Sequence, residues 1–276
     1  ALDDCPALPH EKRLDALARA AQLGAQARAA APFLINVARF DPDAQVRHAA
    51  VEAYLLVTAG DTPDQDAAAL EALKDEKQPG AGTFLLRARL LERLGRRAQA
   101  IEAAGQAYVM APGNARLACY LLDLTLAAGD LDTAVQVAAH AEARHPDDLD
   151  VRVRAGEALA RAGKVDDGLA RLKTIVESEE VLQQRSDLML RLGQAYLRCE
   201  KVDEAEKVFR TALGRFPYNR ELNVALADVF RSAGRRADAI QIYLSELRYA
   251  TPNTAGYQGL VERLGAPGVL AGVVLA

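Results

Sequence analysis

Residues 186–219 read SDLMLRLGQAYLRCEKVDEAEKVFRTALGRFPYN, and the same order of residue types recurs along most of this chain of 276 residues. Three glycines, Gly95, Gly129 and Gly163, lie one 34-residue period apart, and Gly234 falls in phase if residues 183–185 are an insertion. A fixed period of this length is typical of solenoids that are built from stacked helical hairpins. The chain is therefore predicted to be all-α.

The period divides residues 81–253 into five units, 81–114, 115–148, 149–182, 186–219 and 220–253. Position 15 is Gly in four units and Glu200 in the other, which predicts the end of a first helix because Gly adopts positive φ without strain. Pro at position 32 (Pro112, Pro146, Pro217) then ends the second helix. Position 20 always carries a small residue, which predicts that the two helices of a unit cross there: Ala100, Ala134, Gly168, Ala205 and Ala239.

The unit at 186–219 resembles the tetratricopeptide repeat (TPR) family. It carries Leu192-Gly193 and Tyr196 on the first helix, and the second helix carries the residues that the family pattern expects: Ala205, Phe209, Ala212 and Pro217. Unit 220–253 repeats the pattern with Leu226-Ala227, Phe230, Gly234, Ala239 and Tyr243. The resemblance implies a right-handed superhelical α-solenoid of antiparallel helix pairs.

The two ends of the chain depart from the regular pattern. Residues 1–80 are predicted to form helical hairpins, at 11–44 and 45–80, with helices at about 44–58 and 63–77 in the second. The phrase from Asp41 to Ala53 resembles a HEAT repeat, so degenerate TPR and HEAT-like hairpins both stay open, and we favour TPR. Residues 254–276 are predicted to be a capping helix, Thr254 to Leu264, and an apolar tail.

Composition and motifs argue against several classes of function. The net charge is −4, from 34 basic and 38 acidic residues, which does not fit a nucleic-acid-binding protein. No apolar run reaches the roughly 18 residues that a membrane span needs. The cysteines are scattered, and His140 and His145 do not share a helical face. With no phosphate-binding loop or nucleophile motif, we predict no catalytic residue, no cofactor, no metal and no enzyme activity.

The resemblance also implies a binding surface, since the first helix of each TPR unit lines a concave groove. Carried over by position, an apolar row at position 5 stands beside a mostly acidic row at position 9. The candidate partner-binding residues are Leu85, Arg89, Cys119, Asp123, Val153, Glu157, Leu190, Gln194, Val224 and Asp228. These rows do not match the Lys- and Asn-containing carboxylate clamp of TPR cochaperones. They suit a segment with apolar anchors and some Lys or Arg.

The sequence thus predicts a scaffold or adaptor that binds a protein or peptide partner in the groove of a TPR solenoid. The alternatives are a non-catalytic recruiting or regulatory domain of a larger enzyme, and a periplasmic or outer-membrane assembly factor. We expect a cytoplasmic protein; the alternative is the periplasm after removal of a signal peptide. A homodimer through the terminal repeats, which expose apolar faces unless capped, is a further expectation.

Overall fold

The structure is a computed structural model that describes residues 8–73, 79–176, 184–249 and 255–265. Across these ranges the regular secondary structure is helical, as the period predicts. The chain divides into two compact units, Ala1–Val151 and Arg152–Ala276. None of the described helices is both long enough and apolar enough to cross a membrane.

The first compact unit is built from consecutive helices joined by short turns. A 3₁₀ segment, Gly24–Ala30, separates the first two helices. The helices are α1 (His10–Leu23), α2 (Ala31–Phe40), α3 (Ala44–Val57), α4 (Pro63–Ala72), α5 (Ala81–Arg93), α6 (Arg97–Met110), α7 (Ala115–Ala128) and α8 (Leu131–Arg144).

Helix α9 (Leu149–Arg161) begins in the first compact unit and continues into the second. It is followed by α10 (Val165–Val176), α11 (Ser186–Arg198), α12 (Val202–Arg215), α13 (Arg220–Ser232), α14 (Arg236–Tyr249) and α15 (Ala255–Gly265). These bounds confirm the predicted alternation of first and second helices. The predicted capping helix is α15, displaced by one residue, and the tail 266–276 lies outside the described residues.

Polar side chains fix where several helices begin, because the first backbone N–H groups of a helix have no partner within it. Asp43 caps α3 by accepting from the N–H groups of Gln45 and Val46. Thr62 and Gln65 form a reciprocal capping box at α4. The side chains of Asn114, Asp130 and Asn219 cap α7, α8 and α13.

The residue at position 15 turns the chain between the two helices of each repeat, and its backbone is left-handed in all five. The φ angles are +71° at Gly95, +76° at Gly129, +91° at Gly163 and +76° at Gly234. Glu200, which replaces Gly in the fourth repeat, has the same conformation with φ of +60°. The sequence prediction for this turn is confirmed.

Small residues line the contact between the two helices of a repeat. A Cβ atom on Gly168 of α10 would lie 2.5 Å from the backbone oxygen of Gly156 and 2.5 Å from the backbone nitrogen of Ala160, both on α9. The backbones of α9 and α10 therefore meet at position 20. The other four position-20 residues are fully buried: Ala100, Ala134, Ala205 and Ala239.

The N-terminal helices are held together by an ion pair and by close backbone packing. Helix α3 packs against α1, α2 and α5. The guanidinium of Arg13 on α1 pairs with the carboxylate of Asp41, and both side chains are buried. A Cβ on Gly82 would lie 1.8 Å from the backbone oxygen of Ala38, so α5 approaches α2 directly. Whether these hairpins are TPR or HEAT in type stays a prediction, and residues 74–78 of the predicted 63–77 helix lie outside the described ranges.

Candidate functional site

The ten predicted groove residues all lie on the first helices of their repeats, and they differ in how accessible they are. In the apolar row, Leu85, Cys119 and Val153 are buried, with at most 9% of their surface exposed. Leu190 and Val224, in the last two repeats, are half-buried. Side chains in a helical core cannot anchor a ligand without rearrangement, so the accessible part of the apolar row lies in the second compact unit.

Four of the predicted residues meet in one cleft of about 580 Å³ in that unit. Leu190 and Gln194 come from α11, and Val224 and Asp228 come from α13. The opposite wall is α15, which contributes Gly256, Gly259, Leu260 and Arg263. Arg220, Glu221 and Ala225 complete the lining.

The carboxylate of Asp228 is held within the protein. Tyr243 on α14 donates a hydrogen bond from Oη to Asp228 Oδ1 over 2.6 Å. Arg263 on α15 places Nε 3.1 Å from Oδ2, and Arg231 approaches Oδ1 at 3.5 Å. Burial and the hydrogen bond to Asp228 raise the pKa of the Tyr243 phenol well above its usual range, so the phenol stays a donor. Asp228 therefore fastens α15 across the end of the groove.

The carboxylate of Glu157, the predicted groove residue of the repeat 149–182, is also paired within the protein. Its side chain is 7% exposed, and Arg191 Nη2 lies 3.0 Å from Oε2. Arg198, also on α11, pairs with Oε1 of the same carboxylate. One carboxylate on α9 thus pairs with two guanidinium groups on α11.

Arg89 in the first compact unit is also paired within the protein, here as one cation near two carboxylates. Its guanidinium lies 2.7 Å from Glu52 of α3 and 3.6 Å from Glu92. The guanidinium carbon also stands 3.9 Å from the ring centroid of Tyr120, whose Oη donates to Glu92 over 3.0 Å. Asp123, the remaining predicted residue of this unit, is half-buried on α7.

Sequence reasoning missed these partners, although a signal for them exists. One ion pair in each of the three clusters joins a carboxylate to an arginine about one repeat later in the chain: Glu157 to Arg191 over 34 residues, Asp228 to Arg263 over 35 and Glu52 to Arg89 over 37. An acidic residue followed by Arg one period later is thus the pattern to search for. In the cleft, Glu221 differs from these carboxylates, since it is exposed and has no ion pair with any described residue.

The histidines that the sequence analysis considered have other partners. His140 Nδ1 lies 2.8 Å from Tyr108 Oη, and His145 Nε2 lies 3.2 Å from the backbone oxygen of Pro112. Within the described ranges, no three His, Cys, Asp or Glu side chains are grouped so that they could hold a metal ion.

Comparison with protein families decides the classification. A tetratricopeptide repeat family model matches residues 85–148 and 190–254, and a second tetratricopeptide repeat model matches 125–181. The chain belongs to the tetratricopeptide repeat family. Together the matches span 85–181 and 190–254, within which most of the five predicted repeats lie, whereas residues 11–80 lie outside them. No curated protein sequence matches this chain.

Solved structures of TPR proteins share this fold. A thermophilic TPR protein of Thermus thermophilus, TTC0263, is 22% identical, covers 70% of this chain and 100% of its own, and gives a TM-score of 0.56. A TPR protein of Parabacteroides merdae is 12% identical and covers 91% of this chain and 98% of its own, with a TM-score of 0.61. At these identities the likeness shows an all-α TPR fold.

Proposed function

We propose that this TPR protein is a scaffold or adaptor that binds a segment of a partner protein in the cleft between α11, α13 and α15. TPR repeats are generally protein-interaction modules and are generally non-catalytic. The observation that carries the proposal is the convergence of Leu190, Gln194, Val224 and Asp228, from two successive repeats, on one open cleft.

The composition of the cleft suits a peptide segment. Its volume of about 580 Å³ is within the range of ligand-binding clefts. Leu190 and Val224, which are half-buried, offer apolar surface to a side chain of the partner, and the amide of Gln194 offers both a donor and an acceptor to its backbone. The proposal thus locates binding in the Arg152–Ala276 unit.

Site-directed photo-crosslinking tests this location. A photoreactive benzoylphenylalanine replaces Gln194, which lines the cleft, and in a matched control it replaces Gln241, which is exposed on α14. Crosslinking in the source cell, followed by mass spectrometry, is expected to give a discrete partner from position 194 and not from position 241. The same products from both positions, or none from position 194, would count against the cleft.

A cleft-filling variant then tests whether the captured partner needs the cleft. Gly256 lines the cleft and a Cβ on it would have no atom within 4 Å, so Gly256→Phe is expected to add a ring at the cleft wall without a clash at its Cβ. Gly214, exposed on α12, has equally open space and gives the control Gly214→Phe. By calorimetry, Gly256→Phe is expected to weaken binding at least tenfold and Gly214→Phe to leave it unchanged. Equal affinities of both variants would place the partner elsewhere.

A further inference from the structure

We infer that α15 is a lid over the cleft, which opens by detaching from α13 and α14 while the repeats stay folded. The role of the lid rests on the proposed function, because what it regulates is the access of a partner segment to the cleft. The motion itself follows from the few contacts that hold α15 in place.

The apolar attachment of α15 depends on few side chains. The helix packs against α14. Among the α15 side chains that the structure describes, Leu260 is the buried one, with 2% of its surface exposed, whereas Val261 is 45% exposed and Leu264 is half-buried. By comparison, α13 has six buried residues. Because apolar burial is the main force that holds a helix onto a protein, α15 is expected to open more readily than the helices of the repeats.

The helix itself depends on this attachment. Gly256 and Gly259 lie within its 11 residues, and Gly loses more backbone freedom in a helix than other residues do. Isolated helices of fewer than about 12–15 residues are marginal in water even when their sequence favours the helix. Detachment of α15 and loss of its helical structure are therefore expected to occur together.

The polar attachment is the ion pair between Arg263 and Asp228, and both partners tolerate its loss. Arg263 is 39% exposed, so water can solvate its guanidinium when the pair breaks. Asp228 keeps the Tyr243 Oη at 2.6 Å and the Arg231 guanidinium at 3.5 Å. Opening thus leaves no buried carboxylate without a partner, which would be the largest electrostatic cost of such a motion. The pair acts as a latch that can be released.

The position of α15 makes this motion a control on access. Gly256, Gly259, Leu260 and Arg263 form one wall of the cleft, so its opening uncovers the sides of α11 and α13 that face it. A partner segment can enter while α15 is detached, and it gains contacts with α15 when the helix returns. Binding therefore shifts the lid towards its closed state.

Cysteine labelling of the full chain measures the opening. Leu260→Cys places a thiol that is buried while α15 is closed, Val261→Cys gives an exposed reference on the same helix, and Leu222→Cys gives a fully buried reference on α13. The rate at each site is followed by peptide mass spectrometry, which separates it from the native cysteines. Leu260→Cys is expected to react at least about tenfold faster than Leu222→Cys, and more slowly than Val261→Cys. A rate equal to either reference would overturn the lid.

Hydrogen exchange of the unsubstituted protein repeats the comparison, because Leu260→Cys itself weakens the attachment. The backbone amides of α15 should exchange well before those of α13. Equal protection of the two helices would show that α15 opens only when the whole unit unfolds, and would contradict the inference.

The latch has its own test in the Leu260→Cys background. Arg263→Gln should raise the labelling rate about three- to fivefold at low ionic strength, as for other partly exposed ion pairs. Added NaCl should raise the rate with Arg263 present and have little effect without it. Glu262→Gln, which changes an exposed carboxylate of α15 outside the cleft lining, is the control and should leave the rate unchanged. Equal rates in the two variants would overturn the assignment of Arg263 as the latch.

The outcomes separate the lid from the proposed function. Labelling and hydrogen exchange need no partner, so an opening α15 would stand even if Gly256→Phe and Gly214→Phe bound the captured partner equally. If the cleft is the binding site, saturation with the partner captured at position 194 should slow the labelling of Leu260→Cys. Unchanged labelling at saturation would contradict the regulatory role of the lid. Circular dichroism of each variant confirms that the repeats stay folded.

Discussion

The ring of Phe209 occupies the space beside Gly193. A Cβ built on Gly193 of α11 would lie 2.4 Å from both Cε1 and Cζ of Phe209 on α12. Phe209 is fully buried, so its ring has no open space into which to move. Gly193 is therefore the residue that lets the two helices of this repeat approach each other.

This contact predicts that Gly193→Ala destabilises the protein. Overpacking of a core costs about 1–3 kcal/mol, which exceeds the roughly 1 kcal/mol that Ala gains over Gly in a helix. Gly214→Ala on α12 is the control, because a Cβ there meets nothing within 4 Å and the substitution should stabilise the helix. Urea denaturation measures both. A stabilising effect at both positions would mean that Phe209 does not pack as described.

The turn at Glu200 predicts a substitution that stabilises the protein. Its φ of +60° strains a residue that has a Cβ, by about 1 kcal/mol, whereas Gly occupies the equivalent turn of the other four repeats. Glu200→Gly should therefore stabilise the protein by up to about 1 kcal/mol in urea denaturation. Gly163→Ala, at a φ of +91°, should destabilise it. A loss of stability in Glu200→Gly would show that the Glu200 side chain contributes more than its backbone strain costs.

The ion pairs between repeats predict that Glu157 is important for stability. Glu157→Gln removes the carboxylate that the guanidinium groups of Arg191 and Arg198 share. Because these groups are 25% and 42% exposed, water compensates them in part, and we expect a loss of about 1–3 kcal/mol. Asp15→Asn, which removes an exposed pair with Arg19, should leave the denaturation midpoint unchanged. Equal effects of the two substitutions would contradict the stabilising role of Glu157.

These ion pairs also change how the acidic row must be tested. Charge reversal at Asp123, Glu157 and Asp228 together would break internal pairs, so a loss of partner binding would not distinguish a binding surface from a damaged fold. Gly256 avoids this problem, because a Cβ there would have no atom within 4 Å and the substitution breaks no ion pair.

The imidazole of His48, which is 11% exposed, predicts a dependence of stability on pH. Burial lowers its pKa below the usual 6.5; nearby Arg116 and Arg89 lower it further, and Glu52 opposes them. The unfolded chain therefore takes up a proton near pH 6.5 while the folded chain does not, so stability is lost as pH falls below this value. The urea midpoint should decrease between pH 7 and 5, and His48→Gln should reduce that decrease. The same slope in both proteins would contradict the assignment.

Much of the fold could be predicted from the sequence because the same local causes act in every repeat. Gly129 ends α7 and Ala134 sits at a helix crossing for causes that are local to one hairpin, so residue type and spacing suffice. Where residues 81–253 are described, at 81–176 and 184–249, the helices alternate as the period predicts. The acidic partners of Arg191 and Arg263 lie in a neighbouring repeat, and their pairing depends on how side chains extend between helices.

The candidate site was predictable only in part for the same reason. Leu190, Gln194, Val224 and Asp228 were identified because the family pattern assigns them to the groove. Gly256, Leu260 and Arg263 were not, since the helix that carries them lies beyond the last repeat and was predicted as a cap. The cleft depends on α15, which the ion pair between Arg263 and Asp228 holds against α13. The pattern of a single repeat does not predict this contact.

The most direct test of the central claim is to map the bound segment by NMR on the full chain. The segment captured at position 194 is titrated into isotope-labelled protein, and backbone amide shifts are followed. The account predicts the largest changes at Leu190, Gln194, Val224 and Leu260, on the three helices that form the cleft. Changes concentrated on α12 and α14, or in the Ala1–Val151 unit, would contradict it.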